Sequence, residues 1–189
     1  MSTSAISTED RIRRLEDREA IKDLVTMYGF VMDERSISGI RKLFADDAEF
    51  RTPDGYINTS SLDELVAMYE GRFDVNGPTN HFVHGHVVRF DPGNADLAYG
   101  LVSSHVEVSR KGVPLIGAIR YADTYVRTQA GWRFKARVMS YMYYVDVHEY
   151  PEAIHVAERV RIYGDDRLGD WPVVLTANPD LEWLDMFLS

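Results

Sequence analysis

The sequence contains no cysteine, and that absence excludes several kinds of chemistry. Disulfide bridges, thiolate nucleophiles, cysteine-ligated zinc and iron–sulfur clusters all need cysteine side chains. The sequence also has no apolar run of the roughly 18–20 residues that a membrane-spanning helix needs. The segment Met1–Arg14 lacks the apolar stretch of a secretory signal. We therefore expect a cytoplasmic protein with no membrane-spanning segment.

Positive charge is scarce as well: 21 Lys and Arg residues stand against 30 Asp and Glu, a net charge of −9. A nucleic-acid-binding surface needs a basic stripe, and an anionic membrane attracts basic segments. The composition therefore predicts neither nucleic acid nor a membrane as a partner. With 189 residues, 45% of them hydrophobic, the chain fits one globular domain plus an extension. Chemistry is left to histidines, carboxylates and tyrosines, or to a bound cofactor.

The negative charge is concentrated at the C-terminal end. Residues 145–189 include ten acidic and three basic residues, a net charge of −7. We therefore predict one domain over residues 1–147 and an acidic extension over residues 148–189. Two helix signals lie in the extension, at Pro151–Tyr163 and Asn178–Leu188. We expect these short helices to pack on the mouth of a cavity or on a partner subunit.

The two halves of the domain differ in their residue patterns. Up to Pro78, apolar residues three and four apart predict helices, whereas the later segments are rich in β-branched and aromatic residues separated by turn residues. The predicted helices are Thr8–Asp33, Ile37–Phe44 and Ser61–Phe73, and the predicted strands are a short one at Ala48–Thr52 and four long ones at Thr79–Phe90, Leu97–Ser109, Pro114–Arg127 and Trp132–Val147. Helices followed by an antiparallel meander are typical of the α+β class, with one curved antiparallel sheet packed around the helices. A cavity between the sheet and the helices is a natural site for a small molecule.

Asp33 and His81 are the first candidates for chemistry. Asp33 ends the first predicted helix, one turn after Gly29, on the same stripe as Val25. His81 opens the first long strand and shares a strand face with Val83. A histidine in an apolar cavity can act as a general base near neutral pH, and a carboxylate would fix its tautomer. Spacing alone equally allows a solvated helix-end acid and a structural histidine.

Other candidates lie along the strands. Alternation places His84 and His86 on the opposite face from His81, where a metal pair is conceivable. Asp91 follows them at a spacing loosely like that of a cupin metal motif, but the chain lacks the second motif of that pattern. We therefore expect an outer-face or subunit-contact role and no metal site. In the third long strand, Tyr121 shares a face with Asp123, and its phenol could donate to a carbonyl oxygen. Aromatic residues in strands are also ordinary core residues.

Several segments together resemble the nuclear-transport-factor-2-like superfamily, in its SnoaL-like and scytalone-dehydratase-like branch. These segments are Arg18–Leu24, Tyr28 with Asp33, Leu43–Phe50, Thr79–Phe82 and the hairpin Tyr121–Trp132. The resemblance implies a cystatin-like α+β barrel, in which a cone-shaped curved antiparallel sheet wraps around the N-terminal helices. It also implies a homodimer or a homotrimer.

The same resemblance implies roles for individual residues. Members of the branch, such as bile-acid 7α-dehydratase and lindane dehydrochlorinase, eliminate a leaving group without a cofactor. The implied catalytic residues are His81 and Asp33 as a dyad with Tyr28, and we add Tyr121. The substrate-binding candidates are Val25, Phe50, Tyr56, Val83, His105 and Tyr141. Of these, His105 stands near the position of a second histidine of scytalone dehydratase, and Tyr141 near that of an arginine of the bile-acid enzyme.

The sequence therefore favours a cofactor-independent lyase of the dehydratase type. We expect a small, largely apolar substrate that contains a carbonyl group or is polycyclic, and neither a cofactor nor a metal. His81 would remove a proton while the tyrosines bind the oxygen that gains charge. One alternative is a ketosteroid-isomerase-like or polyketide-cyclase-like enzyme with the same dyad. Another is a non-catalytic ligand-binding protein or a subunit like the β subunit of ring-hydroxylating dioxygenases.

Overall fold

The computed structural model describes residues 7–162 and 166–188 and has three helices before a long-stranded sheet. The helices are α1 (Thr8–Asp33), α2 (Ile37–Leu43), α3 (Leu62–Val75), α4 (Tyr150–Ala153) and α5 (Asp185–Leu188). The strands are β1 (Phe44–Arg51), β2 (Asn58–Thr59), β3 (Asn76–Phe90), β4 (Leu97–Arg110), β5 (Val113–Thr128), β6 (Gly131–Asp146), β7 (Val160–Ile162) and β8 (Asp166–Leu168). Serine side chains accept hydrogen bonds from backbone N–H groups at the N-termini of α1, α2 and α3, as expected of N-caps.

The predicted meander of four long antiparallel strands is confirmed. The sheet order is β2-β1-β6-β5-β4-β3, so β3 is an edge strand and β1 follows β6. The predicted short strand at Ala48–Thr52 begins four residues earlier, at Phe44, and it runs parallel to β6. The reason is packing, since Phe44 is buried with its ring 5.0 Å from that of Phe134. The curved α+β sheet around N-terminal helices is thus the observed fold.

The apolar stripe of α1 faces the concave side of the sheet. Ile21, Leu24, Val25, Tyr28 and Met32 are buried there, three and four residues apart, as the spacing predicts. They pack against inward-facing side chains of the long strands in one large core. Burial of this stripe fixes the rotation of α1, and with it the direction in which the last turn of the helix presents its side chains.

Polar contacts hold both ends of α1 in place. Near its start, buried Asp17 accepts hydrogen bonds from the indole of Trp132 and from Arg127, at the hairpin between β5 and β6. After its end, Arg35 adopts a left-handed backbone conformation with φ of 52°. Its guanidinium donates to the carbonyl oxygens of Phe73 and Asn76, where α3 passes into β3. The C-terminal turn of α1 is therefore anchored beside the first residues of β3.

A β-bulge in β3 corrects the predicted face of His86. The pairing of β3 with β4 shifts register between Val83 and His86, so that the alternation of sides is reset. His86 and Val88 consequently face inward, as do His81 and Val83, while His84 stays exposed on the outer face. The simple period of two predicted His86 on the outer face, and that prediction is wrong.

The extension differs from its predicted helices. Over Pro151–Tyr163 only α4 is helical and β7 follows it, while Tyr163 lies outside the described residues. The segment Asn178–Leu188 forms one 3-10 turn, Glu182–Leu184, and then α5, instead of one continuous helix. Tyr150, Ala153 and Trp171 of the extension form a second, smaller core with Ala118 and Tyr143. Pairing of β7 with β6 is what replaces the predicted helix.

No helix among residues 7–162 and 166–188 combines the length and the apolar character that crossing a membrane requires.

Candidate functional site

Asp33 lies in the last turn of α1, an unfavourable place for a negative charge. The C-terminal end of a helix carries partial negative charge, and a carboxylate there typically costs about 0.3–1 kcal/mol. Three donors from the start of β3 offset this cost: the side chains of His81 and Thr79, and the backbone N–H of His81. Burial raises the pKa of Asp33, but the hydrogen bonds from His81 and Thr79 outweigh burial and leave that pKa below its ordinary value. Asp33 is therefore held as a carboxylate.

His81 contacts Asp33 directly. Its Nδ1 lies 2.6 Å from Asp33 Oδ1, and its backbone N–H donates to Oδ2 of the same carboxylate at 2.9 Å. A carboxylate accepts, so Nδ1 carries the proton and Nε2 has the lone pair. No residue in the described parts of the chain hydrogen-bonds to Nε2. Gly29 makes room for this ring, because a Cβ on Gly29 would lie 3.3 Å from the Cβ of His81.

The pair sits between a cavity and an open groove. The cavity, of about 60 Å³, lies between α1, α3 and the concave face of the sheet, and His81 forms part of its wall. The groove, of about 550 Å³, runs between α1 and the first half of β3, and both members of the pair line it. The side chains of His81 and Asp33 are 15% and 20% exposed, so water reaches the pair only in part.

Five tyrosines line the cavity, as does His81. They are Tyr28, Tyr69, Tyr121, Tyr141 and Tyr144, all of them buried. The hydroxyl oxygens of Tyr28 and Tyr69 are 2.7 Å apart and share a hydrogen bond. Burial, together with the neighbouring Tyr28, raises the pKa of Tyr121 and of Tyr69 well above the ordinary value. These two phenols therefore stay protonated and can donate hydrogen bonds without adding charge. The sequence analysis did not single out Tyr69, which lies on the buried side of α3.

Arg137 is the functional candidate that sequence reasoning missed altogether. Its guanidinium lies 4.1 Å from the ring centre of Tyr28 and 4.2 Å from that of Tyr121, and it is fully buried. Nε and Nη2 donate to the two carboxylate oxygens of Asp123 at 2.8 and 2.7 Å. Nη1 is buried and has no partner among the described residues. The signal that could have found it is the register of the hairpin, which pairs Asp123 with Arg137.

The predicted substrate-binding residues divide into three groups. Tyr141 lines the cavity, and Val25 and Val83 line the groove. Phe50 is buried in the core against Tyr69, outside both linings. The structure thus supports a lining position for three of the six predicted residues.

The remaining two, Tyr56 and His105, lie elsewhere. Tyr56 is 45% exposed between β1 and β2, with the guanidinium of Arg167 stacked on its ring. His105 points outward from β4 and its Nδ1 lies 2.8 Å from Nε2 of His84. Neither side chain lines the cavity or the groove, since Tyr56 lies between β1 and β2, and β4 turns Val106 and not His105 toward the concave side.

His86 begins a buried polar chain that leads to Arg137. Its Nε2 lies 3.1 Å from the hydroxyl of Tyr125, which donates to Asp123 at 2.8 Å. Asp123 then holds the guanidinium of Arg137. Burial, with the positive charge of Arg137, lowers the pKa of His86 to about 4 although Asp123 opposes the shift. His86 is therefore neutral near pH 7 and donates from Nε2.

This pKa predicts an acid-sensitive stability. Unfolding restores the ordinary imidazole pKa of about 6.5, so the unfolded chain binds the additional proton between about pH 6.5 and 4. The contribution is fully present above pH 6.5 and is lost as pH falls toward 4, by at most about 3 kcal/mol. Urea titrations at several pH values should show that His86→Gln flattens this slope. An equal slope in His86→Gln and in the parent chain would contradict the shift.

Within the described ranges no group of three or more histidine, aspartate or glutamate side chains is placed to hold a metal ion. The exposed pair of His84 and His105 consists of two side chains only.

Comparison with known proteins agrees with this architecture. A hexachlorocyclohexane dehydrochlorinase, LinA-type3 from Novosphingobium barchaimii LL02, superposes with a TM-score of 0.64 at 18% identity, over 72% of this chain and 94% of that chain. A scytalone dehydratase-like protein from Novosphingobium aromaticivorans DSM 12444 gives 0.64 at 20% identity, over 71% and 90%. An NTF2-like protein with a cystatin-like fold from Novosphingobium aromaticivorans gives 0.58 at 25% identity, over 72% and 90%.

Solved structures at this level of identity show a shared fold. None of the curated proteins is similar enough to the chain to count as a match. The sequence profile of the SnoaL-like domain matches residues 13–138, which include most of α1, all of α3 and of β3 to β5, and the first half of β6. The chain therefore belongs to the SnoaL-like family.

Proposed function

We propose that the chain is a cofactor-independent lyase that eliminates a leaving group from a small, largely apolar substrate. The observation that carries the proposal is the 2.6 Å contact of His81 Nδ1 with Asp33 at the wall of an aromatic-lined cavity. The dehydrochlorinase and the scytalone dehydratase-like protein that share the fold are named for reactions of the elimination class. Both the chemistry of the pair and these likenesses favour the same class of reaction.

The reaction begins with proton removal by His81. The lone pair of Nε2 accepts a proton from a substrate carbon, and the electron pair of that C–H bond forms a carbon–carbon double bond. The bond to the leaving group breaks, and the group departs with its electron pair. Asp33 stabilises the imidazolium that forms, because its carboxylate already accepts from Nδ1–H. Positioned acid–base catalysis of this kind contributes roughly 10²–10⁴-fold.

Other donors in the cavity lining bind the oxygen or the leaving group that gains negative charge. Tyr121 and Tyr69 supply phenolic hydrogen bonds, and one such preorganised donor is worth about 3–4 kcal/mol in comparable sites. The buried guanidinium of Arg137 lies directly behind the rings of Tyr28 and Tyr121. Its positive charge stabilises developing negative charge in a region where little water screens the field.

The cavity volume limits the size of the substrate. A site for a drug-sized ligand is usually ~300–1,000 Å³, while one water molecule needs about 10–15 Å³. The observed 60 Å³ is smaller than a cavity of about 150 Å³ that holds one benzene ring, so the enclosed space fits a small acyclic compound. The volume favours a small carbonyl-containing substrate over the polycyclic one that the sequence analysis also allowed.

The test is a substrate screen read by product analysis. We expect the purified protein to convert at least one small β-hydroxy or β-halo carbonyl compound to the unsaturated product, seen by proton NMR with an equimolar released group. Incubation in deuterium oxide should also reveal exchange at the carbon that loses the proton. Absence of both elimination and exchange across the screen would contradict the proposal.

Isomerase and cyclase reactions start from the same proton removal. In a ketosteroid-isomerase-like reaction the double bond moves and no group leaves, so the mass of the compound is unchanged. In a cyclase reaction a new carbon–carbon bond appears. The NMR screen separates these outcomes from elimination because each gives a distinct product.

A further inference from the structure

A second groove, which is apolar and is here named the outer groove, lies on the outer face of the sheet, apart from the candidate site. Its floor is formed by β3, β4 and β5, and its wall by the extension at residues 171–174 and 179–184. Its volume of about 550 Å³ falls in the usual range of small-molecule sites. The apolar side chains of the lining include Val87, Leu101, Val173, Leu181, Trp183 and Leu184.

Arg120 places one positive charge in this apolar groove. It projects from β5 on the side opposite to Tyr121, and its guanidinium lies 4.0 Å from the ring centre of Trp171 and 6.0 Å from that of Trp183. No hydrogen bond or ion pair joins this guanidinium to a residue in the described parts of the chain. Burial lowers the pKa of Arg120, which means that the fold keeps this cation partly away from water without supplying an anion.

The stacking leaves the hydrogen-bonding edge of Arg120 available. A guanidinium that stacks on an indole uses its planar face, while its N–H donors lie in the plane and match the two oxygens of a carboxylate. Asp180 also lines the groove, but it lies beyond ion-pair distance of Arg120 and its Oδ1 accepts from the backbone N–H of Glu182. The indole N–H of Trp171 is buried and has no acceptor in the described chain.

We propose that this groove binds a small amphipathic carboxylate, an aliphatic or aromatic acid whose anionic end pairs with Arg120 and whose apolar part packs between the sheet and the extension. The ligand supplies the single negative charge that Arg120 lacks. It also covers the apolar side chains that the extension leaves beside Arg120. The proposal does not depend on the proposed lyase reaction, since none of the cavity tyrosines lines this groove.

Octanoate and octanamide form a matched pair of probes, equal in chain length and different in charge. We expect octanoate to bind the full chain with one site per chain in titration calorimetry, and octanamide to bind at least tenfold more weakly. Because Trp171 and Trp183 flank Arg120, octanoate should also change the tryptophan fluorescence.

Variants locate the site. Arg120→Gln should weaken octanoate binding at least tenfold and leave octanamide unchanged, whereas Arg120→Lys, which keeps the charge without the planar fork, should give an intermediate loss. Arg51→Gln is the matched control, because Arg51 is an exposed strand arginine outside the groove. His81→Gln should bind octanoate as tightly as the parent chain does, because His81 lines the cavity and not the outer groove.

Three results would overturn the proposal. The first is equal affinity of the parent chain for octanoate and octanamide. The second is unchanged octanoate binding in Arg120→Gln when the variant is folded by circular dichroism. The third comes from sedimentation and is an oligomeric parent chain that does not bind octanoate and that Arg120→Gln dissociates. That result would mean that a second copy of the chain, and not a carboxylate, covers the outer groove.

Discussion

Replacing His81 by glutamine should lower kcat of the proposed elimination reaction by roughly 10²–10⁴-fold, the contribution of a positioned general base. Glutamine keeps approximate size and polarity but has no lone pair of comparable basicity. The backbone N–H of His81 would still donate to Asp33, so the start of β3 should stay in place. The measurement is a steady-state assay with the substrate found in the screen.

Asp33→Asn should have a comparable effect through a different cause. An amide in place of the carboxylate no longer requires the proton on Nδ1, so the imidazole can turn its basic nitrogen away from the substrate. In another enzyme with a histidine–aspartate pair, the corresponding change costs about 10⁴-fold in kcat. We expect KM to change little in both variants, because neither removes the walls that bind the substrate.

Matched controls separate the dyad from general damage to the fold. His148→Gln changes an exposed histidine outside the cavity and the groove, and Asp23→Asn changes an exposed acid of the same helix as Asp33. Both should retain parent rates, and all four variants should melt within a few degrees of the parent. Near-parent activity in His81→Gln and Asp33→Asn would remove the pair from the mechanism.

The pairing of His81 with Asp33 was predicted from the family resemblance, because spacing alone left a solvated acid and a structural histidine open. Patterning did place the two residues at the ends of their elements, Asp33 at the end of α1 and His81 near the start of the first long strand. Their contact is a property of the folded chain, in which the last turn of α1 lies beside the first residues of β3. Register errors are small at such positions, since little chain separates the residue from the pattern that fixes it.

Residues farther along the strands were harder to place. Three residues after Val83 the bulge had reversed the predicted face of His86, because one extra residue exchanges the two sides of a strand. His105 was placed by likeness to a relative, and the pleat of β4 turns it outward. Neither deviation leaves a signal in composition or spacing.

The sequence analysis missed the burial of Arg137 because charged residues are rarely buried, and a strand that contains lysine and arginine is usually exposed. Burial of Arg137 needs three aromatic rings from α1, β5 and β6 and a carboxylate from β5, which only the folded chain brings together. The strand β7 of the extension was missed for a related reason. It forms by pairing with β6, whereas the local sequence predicted a helix.

The ion pair of Arg137 and Asp123 should give the largest stability effect in the molecule. Both side chains are almost completely buried, and the two hydrogen bonds of the pair satisfy the carboxylate. Asp123→Asn leaves the guanidinium buried without a counter-charge, which typically costs about 3–5 kcal/mol. For a chain of this length that corresponds to roughly 6–20 °C in Tm.

The double variant Asp123→Leu with Arg137→Met tests whether the loss arises from the unpaired charge. Replacing a buried ion pair by apolar residues of similar volume is often neutral, because neither charge then has to be desolvated. The double variant should therefore be clearly more stable in urea than Asp123→Asn alone. It should nevertheless be a poor catalyst, since the cation behind Tyr28 and Tyr121 is gone. A double variant no more stable than Asp123→Asn would show that shape, and not charge balance, makes this pair important to the fold.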